Sequence, residues 1–261
     1  MNVLYGYFFE AKRRERLKEM FGQYIPEKHI DEMLQMESNF GLHGEDREMT
    51  VLFADIRNFT AISEKLSASQ LKDFLYEIFT PMTEIIFKHR GTIDKYIGDC
   101  IMAFWNAPLD DPDHARNAVA AAIEMRGVLA ALNRRLSDRH LDRGTPYRPL
   151  AMAIGINTGE CCVGNMGSPH RFDYSILGDA VNVASRLAEF AASHDLDIAM
   201  GEDTAAALPA DAVRFVEQVV VRGRKAIVRV FAAAARAPDG VEKRPESAGP
   251  SCDVAPGEVL R

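Results

Sequence analysis

The chain has 261 residues, with 31 Lys and Arg against 38 Asp and Glu for a formal net charge of -7. Its hydrophobic share of 47% and charged share of 26% are ordinary for a globular protein; they exclude a mostly disordered or collagen-like chain and predict one sizeable domain with extra segments. The acidic balance speaks against a general nucleic-acid binder, whose footprint is basic, so a site for an anionic ligand has to be built locally.

The N-terminal apolar run, Val3 to Phe9, is interrupted by Gly6 and is far shorter than the roughly 20 residues that cross a bilayer. Lys12, Arg13, Arg14, Arg16 and Lys18 follow it. Aromatic residues before a basic cluster suit the cytoplasmic exit of a membrane helix, and equally a solvated amphipathic helix. The first helix is predicted over Glu10 to Phe21, stopping at Gly22. A second is predicted over Pro26 to Met36, with Pro26 in its first turn. Gly41 and Gly44 mark a linker, so residues 1–48 read as a helical lead-in.

From Met49 the pattern changes. Thr50 to Ala54 is a short apolar run that ends at Asp55 and reads as a central strand. Ser67 and Gln70 have capping-box spacing. Leu71, Phe74, Leu75, Ile78, Phe79, Met82, Ile85 and Ile86 then form an amphipathic stripe, with a kink expected at Pro81 and a C-cap at Gly91. Thr92–Ile97 and Cys100–Trp105 read as a hairpin around Gly98-Asp99. A long helix is predicted over Asp113 to Leu136. Next come a strand over Ala151 to Ile156, a turn at Gly159 into Cys161 to Gly164, and an extended stretch over Phe172 to Leu177.

A helix from Ala180 to Ala192, a strand over Asp197 to Met200, a short helix over Glu202 to Leu208 and a closing hairpin (Val213–Val221, Ala226–Phe231) complete the domain at residue 233. Residues 234–261 are rich in Pro, Gly, Ser and Glu and read as a disordered tail. Helices mixed with hairpins predict an α+β fold with a largely antiparallel or mixed sheet. Cys100, Cys161, Cys162 and Cys252 show no metal or disulfide spacing, which points to a reducing, intracellular compartment.

Several polar residues stand out. Asp55, at a strand end, reads equally as a cap or buried pair and as a metal ligand. The short connection after it can present backbone N–H groups to an anion. Asp99 by itself reads as turn chemistry. Should the hairpin lie beside the Asp55 strand, the two carboxylates would suit a pair of divalent cations handling a nucleotide polyphosphate. Asn182 and Arg186 are spaced i, i+4 and share a helix face, which alone reads as solvated. Lys95 alone reads as an edge-strand lysine.

Three motifs carry a resemblance. Phe53-Ala54-Asp55-Ile56-Arg57-Asn58-Phe59-Thr60, Asp94-Lys95-Tyr96-Ile97-Gly98-Asp99 and Tyr174-Ser175-Ile176-Leu177-Gly178-Asp179-Ala180-Val181-Asn182-Val183-Ala184-Ser185-Arg186 resemble, in order, the metal, base-reading and transition-state motifs of class III nucleotidyl cyclases. The resemblance covers Met49 to Phe231. It implies a ferredoxin-like sheet with flanking helices and an adenylyl cyclase that turns ATP into cyclic AMP and pyrophosphate. A guanylyl cyclase and a catalytically silent regulatory domain are the alternatives.

By the same resemblance, Asp55, Ile56 and Asp99 would hold two Mg2+ or Mn2+ ions. Backbone amides around Asn58, Phe59 and Thr60 would cradle the phosphates. Lys95 and Ser175 would read the base, Asn182 would orient the ribose and Arg186 would stabilise the α-phosphate. A basic residue at Arg222 or Arg224 would touch the triphosphate. The active form would be a head-to-tail homodimer, inactive as a monomer. Ser175 stands where the family commonly has Asp, and Thr in the class IIIb branch; its hydroxyl can still accept from the adenine amino group, and a lysine that only donates suits adenine N1. Phe21-Gly22-Gln23-Tyr24-Ile25-Pro26 resembles the linker of bacterial cyclases joined to membrane-anchored sensors. That implies the cytosolic portion of such a protein, with its sensor upstream.

Overall fold

A computed structural model describes residues 11–12, 14–15, 17–35, 44–142, 149–168, 170–220 and 227–234. In the lead-in, residues 17–21 are helical (α1) and a turn at Gly22 leads to α2 (Glu27–Gln35). The domain then runs β1 (Glu45–Ile56), α3 (Phe59–Ser63), α4 (Ala68–Lys88), β2 (Thr92–Ile97), β3 (Cys100–Trp105), α5 (His114–Asp142) and β4 (Met152–Ser168). It closes with β5 (Arg171–Leu177), α6 (Asp179–Ser193), β6 (Ile198–Met200), α7 (Glu202–Ala206), a short 3-10 turn, β7 (Val213–Val220) and β8 (Ile227–Ala233).

The eight strands make one mixed sheet in the order β2-β3-β1-β4-β6-β8-β7, with β5 paired to β4. Among the described residues only the β4–β6 pairing is parallel. The units β1, α4, β2, β3, α5 and β4 reproduce the βαββαβ ferredoxin-like arrangement. β1 is central and buried on both faces, which explains its unbroken apolar run. Leu52, Ala54 and Ile56 pack under α4 and α5. The alternate residues Met49, Val51 and Phe53 pack against the lead-in and α6.

The α4 stripe behaves as its spacing predicts: Ile78, Met82, Ile85 and Ile86 are buried. Both halves of the capping box form, Ser67 N donating to Gln70 Oε1 at 2.9 Å and Gln70 N to Ser67 Oγ at 3.3 Å. The helix continues through Pro81 as one element. His89 is its C-cap, and Arg90, at φ 65°, takes the left-handed position expected of Gly91.

Three other expectations need correction. The linker was expected to reach residue 48, but Glu45 to Glu48 already pair with Val163 to Glu160 of β4; ladder hydrogen bonds extend β1 where no apolar pattern announces a strand. The long helix continues past Leu136 to Asp142. Gly159 does not turn the chain: β4 runs unbroken for 17 residues. Its glycines instead admit α6. A Cβ on Gly155 would lie 2.2 Å from Ala184 O and Ala188 N, and one on Gly159 would lie 3.1 Å from the Ala180 Cβ. The turn of the predicted hairpin, between Val221 and Ala226, those two residues themselves and the tail from 235 onward lie outside the described residues.

Candidate active site

The β1–β3 ladder builds the first cluster. Asp55 faces Cys100 across the two strands, and Asp99 is the turn residue just before Cys100. Gly98 allows that turn with φ 63°. Burial first, then the neighbouring Asp99 carboxylate, push the Asp55 pKa up to about 7, although Asp55 opens to solvent on one side. Two carboxylates forced together at a sheet end suit a hard divalent cation, which relieves their repulsion and itself needs only one or two protein carboxylates. Among the described residues no group of three or more His, Cys, Asp or Glu side chains gathers as a metal cage. Burial, then the charges of Asp55 and Asp99, push the Cys100 thiol up to about 12.

The connection from β1 to α3 is anchored from behind. Arg57 N donates to Ala151 O at 2.9 Å. The Arg57 guanidinium is mostly buried, pairs with Asp195 and donates to the carbonyls of Leu196 and Ala191. The turn after Asp55 is thereby tied to the C-terminal end of α6. Asn58 adopts a left-handed conformation, φ 59° and ψ 27°, and caps α3 without a side-chain hydrogen bond. Ile62 N is the first amide of this turn to return to it, at Asn58 O.

A second cluster joins β2 to β5. Ser175 Oγ donates to Asp94 Oδ2 at 2.6 Å, and Lys95 Nζ lies 3.1 Å from Asp94 Oδ1. The Asp94 side chain is fully enclosed, whereas Lys95 is 44% exposed. Burial pushes the Asp94 pKa up; the Ser175 hydrogen bond and the Lys95 charge oppose it. The lead-in grips the residues alongside. Ile93 N donates to Tyr24 O at 3.0 Å, and Tyr174 N donates to Tyr24 Oη at 3.1 Å. Phe21 packs edge-on against Tyr174 at 4.9 Å between ring centroids.

Asn182 and Arg186 lie on the exposed face of α6, opposite the buried Val183, Ala184, Leu187 and Ala188. Arg186 Nη1 donates to both carboxylate oxygens of Glu189 at 2.7 Å. Asp55 and Asp99 thus meet, as do Lys95 and Ser175, and Asn182 shares a face with Arg186. Among the described residues no hydrogen bond or ion pair joins these three groups to one another. Arg222 and Arg224 lie outside the described residues. Sequence reasoning assigned no role to Asp94, Tyr24 or Arg57, although all three stand inside quoted motifs. Asp94 carried a usable signal, a charged residue next to an apolar one in a six-residue strand.

Comparison with known proteins adds an independent finding. Residues 43–233 match the family model described as the adenylate and guanylate cyclase catalytic domain. Adenylate cyclase 1 of Rhizobium meliloti is 34% identical over 167 residues, which is 64% of this chain and 24% of that protein. The chain therefore spans about a quarter of that relative's length. The crystal structure of the adenylyl cyclase CyaB from P. aeruginosa matches with a TM-score of 0.66 at 34% identity, covering 78% of this chain and 98% of that one. The guanylyl cyclase Cya2 matches with a TM-score of 0.62 at 33% identity, covering 74% and 94%. Among the described residues no helix is long and apolar enough to cross a membrane.

Proposed function

The chain belongs to the adenylate and guanylate cyclase catalytic domain family, and on that premise we propose that it converts ATP to 3′,5′-cyclic AMP and pyrophosphate at sites shared by two copies of the chain. The observation that carries this reading is the pairing of Asp55 with Asp99 at the open end of β1 and β3. These carboxylates, with Ile56, would hold two Mg2+ or Mn2+ ions, which when bound would neutralise phosphate charge and lower the pKa of the ribose 3′-hydroxyl.

The chain's own residues would do the remaining work. The 3′-oxygen forms a bond to the α-phosphorus in line, the bond to the β-phosphate breaks, and the hydroxyl proton is released. Asn58, Phe59 and Thr60 offer backbone amides to the triphosphate. Arg186 presents a planar fork of donors to the α-phosphate as negative charge grows there, and Asn182 holds the ribose. Arg222 would add a triphosphate contact. Lys95 has only protons to give, so it suits adenine N1 and opposes guanine, whose N1 carries a hydrogen.

Among the described residues no hydrogen bond or ion pair joins the three groups within one chain, which fits a head-to-tail homodimer in which the carboxylates of one copy face Lys95, Ser175, Asn182 and Arg186 of the other. Exposed Tyr96 and Ile97 beside the metal hairpin, and Phe172 and Leu177 on β5, are apolar surface that such a partner would cover. The lead-in, up to the start of β1 at Glu45, would link a membrane-anchored sensor to a cytosolic catalytic unit covering 45–233, followed by a tail at 234–261. The test is cyclic nucleotide production from ATP and from GTP, with Mn2+ or Mg2+, across a range of protein concentrations. Cyclic AMP whose specific rate rises with concentration supports the reading; a clear preference for GTP, or no product at any concentration, overturns it.

A further inference from the structure

Asp94 occupies an unusual place. In the β2–β3 ladder Ile93 pairs with Ala103 and Lys95 with Met102, so Asp94 is the extra residue of a β-bulge. In a regular strand, neighbouring residues point to opposite faces. A bulge re-aims them, and here it lets the enclosed Asp94 carboxylate and the exposed Lys95 ammonium approach to 3.1 Å. β2 and β5 share no ladder. The 2.6 Å hydrogen bond from Ser175 Oγ to Asp94 Oδ2 ties them side chain to side chain, across 81 residues of sequence. Enclosing a carboxylate is costly unless it is paired and hydrogen-bonded, and Asp94 Oδ1 has the Lys95 charge nearby but makes no aligned hydrogen bond.

We propose that Asp94 is a positioning residue for base selection: it accepts the Ser175 hydroxyl proton in a hydrogen bond, so that toward the purine Ser175 can only accept, and it holds the Lys95 ammonium, which can only donate, beside it. This rests on the reading that residues 95 and 175 face the base of a nucleoside triphosphate. A serine hydroxyl has one proton. Once that proton is committed to Asp94, only the oxygen lone pairs remain for the ligand. They match a 6-amino group, which donates, and repel a 6-oxo group, which accepts. A free serine could turn its proton to either base. The polarity of Ser175 is therefore set by an enclosed residue that never touches the nucleotide. Both flanking residues, Ile93 and Tyr174, are in turn held by Tyr24, which fixes the separation between the two strands.

The experiment compares binding of 3′-deoxy-ATP and 3′-deoxy-GTP, which cannot cyclise, to the full chain and its variants in the presence of Mn2+. Asp94→Asn keeps the size of the side chain but can donate to the Ser175 oxygen and release its proton toward guanine O6. The ratio of the two affinities should fall about tenfold, the worth of one net hydrogen bond, mainly through tighter 3′-deoxy-GTP binding. Ser175→Thr keeps the hydroxyl and should keep the ratio. Ser175→Ala should lower it by weakening 3′-deoxy-ATP, and adding Asp94→Asn to Ser175→Ala should move it no further. An unchanged ratio in folded Asp94→Asn, or equal weakening of both nucleotides, overturns the proposal. Should Asp94→Asn not fold, an unchanged ratio in Ser175→Ala overturns it equally. Because binding is read without turnover, failure to make cyclic AMP would instead count against the proposed reaction.

Discussion

The hydroxyl oxygen of Tyr24 accepts a hydrogen bond from the backbone nitrogen of Tyr174 at 3.1 Å, joining the lead-in to a catalytic-domain strand 150 residues away. Among the described residues β5 pairs only with β4, so its other edge would present an unmet N–H at Tyr174 without this contact. Tyr24→Phe keeps the ring packing and removes the acceptor. Leaving a buried N–H unpaired should cost about 1–3 kcal/mol, read as a lower midpoint in thermal or urea unfolding. Since Ser175 is the next residue, KM for ATP should rise with it. An unfolding midpoint equal to wild type would mean the contact carries no stability.

The Asp55 pKa predicts how stability depends on pH without metal. The folded protein binds the Asp55 proton up to about pH 7, whereas the ordinary value is 3.8. Between these values the folded state holds more protons than the unfolded one, so stability falls as pH rises through that window and levels off above it. On the proposed reading a divalent cation would replace the proton. The rise in melting temperature on adding Mn2+ should therefore be larger at pH 8 than at pH 5, and Asp55→Asn should flatten both dependences.

In its proposed role Arg186 would have to leave Glu189 to reach a phosphate. The two lie on exposed helix surface, at 2.7 Å for each carboxylate oxygen. Such a pair is worth about 0–1 kcal/mol. Glu189→Gln should thus leave folding intact and raise kcat/KM for ATP by at most ~5-fold. A fall in kcat/KM would show instead that Glu189 holds Arg186 in its working position.

Sharing of the site between two chains is tested by complementation. Asp55→Ala and Arg186→Ala homodimers should each lose about a hundredfold in rate. If the variants pair at random, an equal mixture should recover roughly a quarter of wild-type activity, since half the dimers then hold one intact site of two. No recovery in a mixture with demonstrated heterodimers would refute the shared site.

Gly155 is where α6 meets the sheet. A Cβ there would lie 2.2 Å from helix backbone atoms, which cannot swing away as a side chain does. Gly155→Ala should destabilise the fold by about 3 kcal/mol and displace the helix that carries Asn182 and Arg186. Unfolding midpoints would show the first effect, and a lowered kcat in the surviving folded fraction the second.

Much of this protein could be read from its chain. The apolar run ending at Asp55, the α4 stripe with its capping box and the hairpin around Gly98-Asp99 are local signals, governed by side-chain period and turn chemistry within a few residues. Three motifs in order then identified the family. Local rules failed where a distant partner overrode them. Glu45 to Glu48 are charged, yet they become strand because β4 continues alongside. Gly159 has turn chemistry but serves helix packing.

What the sequence alone determined is the set of elements and the identity of the chemical groups, because both follow from covalent structure and near neighbours. Tertiary structure alone decided how those groups are poised. Asp55 rises to about 7 only because the β1–β3 ladder sets Asp99 and the surrounding burial beside it. Ser175 and Lys95 share one enclosed carboxylate only because a bulge in β2 turns Asp94 toward β5. Charge, burial and hydrogen-bond direction act through space over a few ångströms, and residues 81 positions apart come that close only once the chain has folded.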